Sequence, residues 1–376
     1  MKEKTSYFPV GYHRFHKNQV YNYQLNRWHS FGCTRFEDSM DIGNRVRTFA
    51  DWRAAAVEHA EKAASENRLL NAAFYYRAAE FYTMPGDAPG KEYYYDRFVE
   101  LFNEAVRGEA VERIQIPHES IHLPAVRLTP ENENKGIILV HGGFDSFIEE
   151  LFYILKYLSL NGFEVIGFEG PGQGHVLLKQ GVPMDYRWEK PVASVLDHLN
   201  IDQAAIFGIS MGGWFCLRAA AFEERIKKVI AAGHAYDYMK IPPAIAEWLM
   251  MFFYKHFRNY TNNSMLKMLK KGGMQAWQLH QLMHVTRSHS PIEALEFSMQ
   301  LNEENLHSER VTQDVLYLTG RNDHFIPFKM HKRQVKLLKN AASLTERVFT
   351  KDEHAQNHCQ VGNIQLMLDT VINWLR

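Results

Sequence analysis

Apolar and polar positions follow two different periods along this chain, and the change falls near residue 110. Between Asp51 and Tyr82, Trp52, Ala55, Ala56, His59, Ala63 and Ala64, then Leu69, Leu70, Ala73, Phe74, Arg77, Ala78 and Phe81 recur at three- and four-residue steps. That spacing predicts helix, broken by the turn-forming run Met84-Pro85-Gly86-Asp87-Ala88-Pro89-Gly90. A second helix is predicted over Lys91–Ala105. Residues 1–45 show no clear period but carry Tyr7, Phe8, Tyr12, Phe15, Tyr21, Tyr23, Trp28 and Phe31. So aromatic a stretch argues against disorder; it predicts an irregular segment packed on another surface.

After residue 110 the pattern turns to short apolar runs. Val111–Ile116 and Ile121–Leu128 read as a hairpin around Pro117-His118-Glu119-Ser120. Gly136–Val140, Val165–Phe168, Ala204–Phe207, Lys228–Ala232, Val315–Leu318 and Leu344–Phe349 read as buried strands separated by helical stretches. Strands alternating with helices imply an α/β fold with a mostly parallel, doubly wound sheet. One stretch interrupts the alternation. From about residue 236 to 310 the chain is helical and aromatic, too long for a simple crossover. It predicts an inserted helical cap, in which Trp248, Phe252 and Phe253 at helical spacing read as core rather than pocket. The domain organisation expected is a helical unit over 1–110 and a catalytic α/β unit over 111–376 carrying the cap.

Composition narrows the function classes. Lys plus Arg and Asp plus Glu both number 43, so no global field draws the chain to nucleic acid or to an anionic membrane. A small-molecule substrate is the better expectation. Cys33, Cys216 and Cys359 are odd in number and far apart, which argues against a disulfide framework or a paired-cysteine metal site. Met1 to Val10 lacks the apolar core of a secretory signal, and no run is long enough to span a bilayer. These points predict a cytoplasmic protein.

The chemistry centres on Gly208-Ile209-Ser210-Met211-Gly212. A predicted strand precedes it and a predicted helix, Trp214 to Phe222, follows. That context is what a nucleophile elbow requires, and it makes Ser210 the candidate nucleophile. His141-Gly142-Gly143-Phe144 follows another strand and can aim a backbone N–H at a developing oxyanion. Met211 would supply one donor; Gly143 and Phe144 are alternatives for the other. Asp323, in the loop after Val315–Leu318, is the candidate acid, with Asp237 second and each open to a helix-capping role. His324 reads as a wall residue. The base lies after the last strand, where spacing leaves His354 and His358 equal. Neither a thiol nucleophile at Cys359 nor a metal site finds support, and the chemistry calls for no metal or cofactor. The order Ser, Asp, His suits an α/β hydrolase.

These residues resemble one branch of the α/β-hydrolase fold, which includes 2,6-dihydroxypseudooxynicotine hydrolase, fungal polyketide-shortening hydrolases and the fermentation/respiration-switch esterases. The likeness is carried by the aromatic helical region Trp52 to Phe102, by His141 to Ser146 with Glu149-Glu150, by Phe168-Glu169-Gly170-Pro171-Gly172-Gln173-Gly174 and by Ala355 to Asn363. It implies that His358, directly before Cys359-Gln360, is the base, and that Glu149 or Glu150 touches substrate or merely favours a helix start; His354 departs from the small residue usual at its position in the branch and is expected to line the pocket. It also implies a homodimer formed through the N-terminal region. The branch cleaves esters, amides and activated carbon–carbon bonds; the aromatic N-terminal region and the aromatic 236–310 stretch, both candidates to cover Ser210, point to an apolar or aromatic acyl substrate. The opposing expectation is a catalytically silent hydrolase fold whose N-terminal helices dock a partner; the presence of Ser210, Asp323 and His358 weighs against it.

Overall fold

The computed structural model describes residues 8–376. The expectations for Tyr7 and for most of the Met1 to Val10 stretch lie outside the described residues. The chain divides into two compact units, one holding the chain up to Ala110 with Asp352–Ala355 and Gln360–Met367, the other Val111–Lys351, Gln356–Cys359 and Leu368–Arg376.

The first unit is helical: α1 (Gln19–Ser30), α2 (Phe36–Arg45), α3 (Phe49–Ser65), α4 (Leu69–Phe81) and α5 (Lys91–Ala105). Among the described residues of the 1–45 region, Gln19–Ser30 and Phe36–Arg45 are helical, so that stretch is only partly irregular. Its helical period is hidden because α1 buries polar residues beside apolar ones. Asn26 is fully buried, its Nδ2 donating to the His13 and Asn22 carbonyls and its Oδ1 accepting from His13 N–H. These amide side chains satisfy the backbone of the incoming loop, which an apolar stripe could not do. The single helix expected over 51–82 is two, because Asn67 adopts a left-handed φ of 57° between them. Asn tolerates that conformation better than most residues. Thr48 and Asp51 cap α3 reciprocally, side chain to backbone N–H. Trp52, fully buried, ties α3 to α4 through its Nε1–H to the Ala78 carbonyl at 2.7 Å.

The second unit is built on an eight-stranded sheet. In chain order it runs β1 (Glu112–His118), β2 (Ile121–Leu128), β3 (Ile137–His141), α6 (Ile148–Leu160), β4 (Glu164–Phe168), α7 (Gly174–Leu178), α8 (Glu189–His198), β5 (Ala204–Ile209), α9 (Met211–Ala220) and β6 (Ile226–Ala232). The cap helices follow, α10 (Ala244–His256), α11 (Arg258–Lys271), α12 (Met274–Thr286), α13 (Pro291–Gln300) and the short α14 (Glu303–Leu306). The unit resumes with β7 (Asp314–Gly320), α15 (Lys329–Leu337) and β8 (Ser343–Phe349); α16 (Ile364–Leu375) ends the chain. Strand order is β1-β2-β4-β3-β5-β6-β7-β8. The first two pairings, β1 with β2 and β2 with β4, are antiparallel and the rest parallel, which is the expected mostly parallel α/β sheet. Every residue of β4 and β5 is buried, which explains their unbroken apolar runs. Helix α9 packs against β5 and β6, and Trp188 stacks on its Phe215 at 4.2 Å. Burial of each such side chain contributes about 1.5–3 kcal/mol.

The cap forms where expected, but its aromatics do not form a core. Trp248, Phe252 and Phe253 on α10 are exposed. The helical period is present in α10, but no layer of the described structure covers the face it marks. Among the described residues no helix is long and apolar enough to cross a membrane.

Candidate active site

The elbow places Ser210 at the tip of β5. Its backbone takes φ 62° and ψ −129°, sparsely populated for a residue with a side chain. The turn is tight enough that a Cβ on Gly208 would fall 1.9 Å from the Gly212 carbonyl oxygen. Glycine is required there by the close approach of backbone to backbone. The helix begins at Met211, three residues earlier than expected, so the Met211 N–H is among the four that a helix start leaves without an internal partner.

His358 reaches Ser210 from the segment after β8. Its Nε2 lies 2.9 Å from Ser210 Oγ, and its Nδ1 lies 2.6 Å from Asp323 Oδ2. The other Asp323 oxygen accepts from the N–H groups of Phe325 and Ile326 at 2.8 and 2.9 Å, which fixes the carboxylate. Phe325 meets the His358 ring edge-on at 5.1 Å. Burial pulls the His358 pKa down, but the Asp323 charge and hydrogen bond, with Cys359 alongside, outweigh it and hold the pKa well above 6.5. Burial depresses the neighbouring His324 to about 4, so it stays neutral. Asp237, the second candidate acid, instead caps a turn, accepting from Met239 N–H at 3.0 Å and pairing with Lys240 at 3.3 Å. His354 is exposed and belongs to the other unit; His358 alone of the pair bonds Ser210 and Asp323.

The glycine-rich turn after β3 lies against the elbow. A Cβ on Gly143 would fall 2.6 Å from Met211 N. The two alternative oxyanion donors separate here. Gly143 N–H already donates to Ser146 Oγ at 3.0 Å, whereas Phe144 N–H has no partner among the described residues. Gln173, buried at 2% exposure, sets this arrangement. Its Nε2 donates to the Gly142 and Gly143 carbonyls, both at 2.9 Å, while its Oε1 accepts from Gly170 N–H at 3.0 Å. A trans peptide points its C=O and N–H in opposite directions. Holding the Gly143 carbonyl therefore turns the Phe144 N–H away from Gln173. In the sequence, Gln173 stands within the glycine-rich run 170–174 with no role of its own. A lone amide side chain in a buried glycine-rich turn was the signal available.

The two glutamates after this turn differ. Glu150 Oε2 accepts from Phe147 N–H at 3.3 Å and helps to start α6. Glu149 faces Glu169, a fully buried carboxyl whose oxygens accept from Ile148 and His175 N–H at 2.9 and 2.7 Å. Burial, with Glu149 beside it, raises the Glu169 pKa to about 8 against the pull of those two donors. Cys33, Cys216 and Cys359 are all buried, and none forms a disulfide with another described residue.

Comparison with known proteins follows the same lines. A family model described as the alpha/beta hydrolase fold matches residues 136–357. Hydrolase acrC of Aspergillus aculeatus is 27% identical over 350 residues, covering 82% of this chain and 76% of that protein. Hydrolyase poxO of Penicillium oxalicum is 29% identical, covering 60% of this chain and 63% of its own length. Among solved structures, 2,6-dihydroxy-pseudo-oxynicotine hydrolase is similar at a TM-score of 0.64 and 20% identity, covering 93% of each chain. The structure of AbyA5 is similar at a TM-score of 0.69 and 18% identity, covering 95% of each. At such identities the structural likeness is one of fold.

Proposed function

The chain belongs to the α/β-hydrolase fold family, and on that premise we propose that it is a serine hydrolase that cleaves an ester, an amide or an activated carbon–carbon bond next to a carbonyl. The observation that carries this reading is the unbroken hydrogen-bond chain from Ser210 Oγ through His358 to Asp323. His358 Nε2 takes the proton from Ser210 Oγ as that oxygen adds to the substrate carbonyl carbon. The carbonyl π electrons move onto oxygen, and the N–H groups of Met211 and Phe144 receive the charge. The tetrahedral adduct collapses, the bond to the leaving group breaks, and protonated His358 gives that group its proton. Water then attacks the acyl-enzyme with His358 again as base, which releases a carboxylic acid and restores Ser210. Asp323 keeps the His358 proton on Nδ1 and stabilises the imidazolium. Carbon–carbon cleavage by this route needs a leaving carbanion stabilised by a second carbonyl.

A fluorophosphonate probe tests the reading. The wild type is expected to label and the Ser210→Ala variant is not. In parallel assays with p-nitrophenyl esters, aminoacyl nitroanilides and 1,3-diketones, Ser210→Ala is expected to lower whichever activity is found by about 10⁶-fold. A Ser210→Ala protein that kept turning over substrate would defeat the proposal.

A further inference from the structure

Helices α10 and α11 contain no buried residue. On α10, Ile245, Trp248, Leu249 and Phe252 recur at three- and four-residue steps and so share one face. They are 76%, 63%, 43% and 38% exposed. Phe253, Phe257 and Tyr260 carry the exposed surface around the corner into α11. The rings touch one another: Trp248 stacks on Phe252 at 5.5 Å, and Phe253 meets Phe257 at 5.9 Å and Tyr260 at 6.2 Å. A continuous apolar surface of this kind on a folded protein marks a site of contact.

The charge around it is one-sided. Residues 240–271 hold six lysines and arginines and a single acid, Glu247, within a chain that is balanced overall. Lys240 pairs with Asp237 and Arg258 with Glu296. Lys255, Lys267, Lys270 and Lys271 are exposed and have no ion-pair partner among the described residues. Along α11, Tyr260, Ser264, Lys267 and Lys271 follow one exposed helical stripe, so the aromatic cluster runs directly into the basic end. The even total charge that argued against an anionic membrane conceals this local excess.

From the aromatic cluster and the unpaired lysines together we infer that the α10–α11 corner is a docking surface for an anionic phospholipid bilayer. Trp, Phe and Leu side chains seat at the boundary between headgroups and acyl chains, and lysines beside them meet lipid phosphates. A second copy of this chain fits less well. A two-fold contact lays the patch against itself, bringing unpaired lysines toward their counterparts with one acid per copy to offset them. Docking of this kind requires nothing of Ser210.

The test is co-sedimentation of the full chain with vesicles of phosphatidylglycerol and phosphatidylcholine in equal parts, against phosphatidylcholine alone. Three variants accompany it: Trp248→Ser with Phe252→Ser, Lys267→Glu with Lys270→Glu and Lys271→Glu, and Ser210→Ala. The substituted cap residues are exposed, so circular dichroism and thermal melting are expected to match the wild type. Binding to the anionic vesicles is expected to exceed binding to the neutral ones by about tenfold or more, and either cap variant is expected to lose about that much. Ser210→Ala is expected to bind as the wild type does, which keeps this outcome separate from the catalytic one. No binding to anionic vesicles, or binding that both cap variants retain, overturns the inference. So does a wild-type dimer in light scattering that Trp248→Ser with Phe252→Ser converts to monomer, or tight binding to an acidic protein in place of vesicles.

Discussion

Ser210 owes its position to a backbone conformation that ordinary residues avoid, and that conformation depends on its glycine neighbours. A methyl group on Gly208 has backbone, not a movable side chain, in its way. Gly208→Ala is therefore expected to destabilise the fold by about 3 kcal/mol or more, read as a lowered denaturation midpoint. At the partner residue the expected signature is electrostatic. Burial opposes the charge on His358, but Asp323 and Cys359 prevail, so its pKa is raised. The base works only when neutral, so kcat/KM is expected to rise with pH through that raised pKa, with an acid limb above pH 6.5. Asp323→Asn is expected to move the limb downward and to lower kcat by about 10⁴-fold, because the wrong histidine tautomer then predominates. Gln173 acts at one remove, through the peptide that carries the Phe144 N–H. Gln173→Ala is expected to lower kcat about tenfold to a hundredfold with little change in KM, while fluorophosphonate labelling persists at a reduced rate. An unchanged kcat would show that the turn holds its shape without the amide.

At the scale of elements, the buried strands were legible because β4 and β5 are covered on both faces and so read as unbroken apolar runs. The tight turn that carries Ser210 was legible because a strand, a glycine-flanked serine and a helix follow one another directly in the chain. Helix α1 was not legible, since Asn26 is buried to satisfy a loop backbone rather than to fill a core. The break between α3 and α4 rests on one asparagine in a left-handed conformation, a weak signal inside a strong helical period. The first turn of helix α6 is held by Glu150, whose carboxylate accepts from Phe147 N–H. Glu150→Ala leaves that buried N–H without its partner and is expected to cost about 1 kcal/mol, seen as a melting temperature lowered by about 2 °C.

Over the whole molecule, charge is balanced in total and unbalanced in place. The two facts make different demands on salt. Hydrolysis of a neutral, soluble ester is expected to change by less than about twofold between low and high ionic strength, because no global field steers such a substrate. Vesicle binding through α10 and α11 is expected to weaken steeply over the same range as salt screens the lysines. Parallel salt titrations of the two activities distinguish the catalytic body from the cap surface.

The α/β class, the strand sequence, the inserted helices and the choice of Ser210 as candidate nucleophile are properties of local pattern, and the sequence by itself determined them. Period, turn chemistry and chain order act over a few residues and survive without knowledge of what packs where. Tertiary structure supplied the rest. His358 and His354 are equivalent by spacing; family resemblance pointed to His358, and the return of the chain beside β5 brings it within hydrogen-bond reach of Ser210. Gly143 and Phe144 are adjacent donors, and only Ser146 and Gln173, reaching in from other turns, separate them. The period of α10 reveals an apolar face but not whether anything covers it, because burial is a property of neighbours that lie far away along the chain.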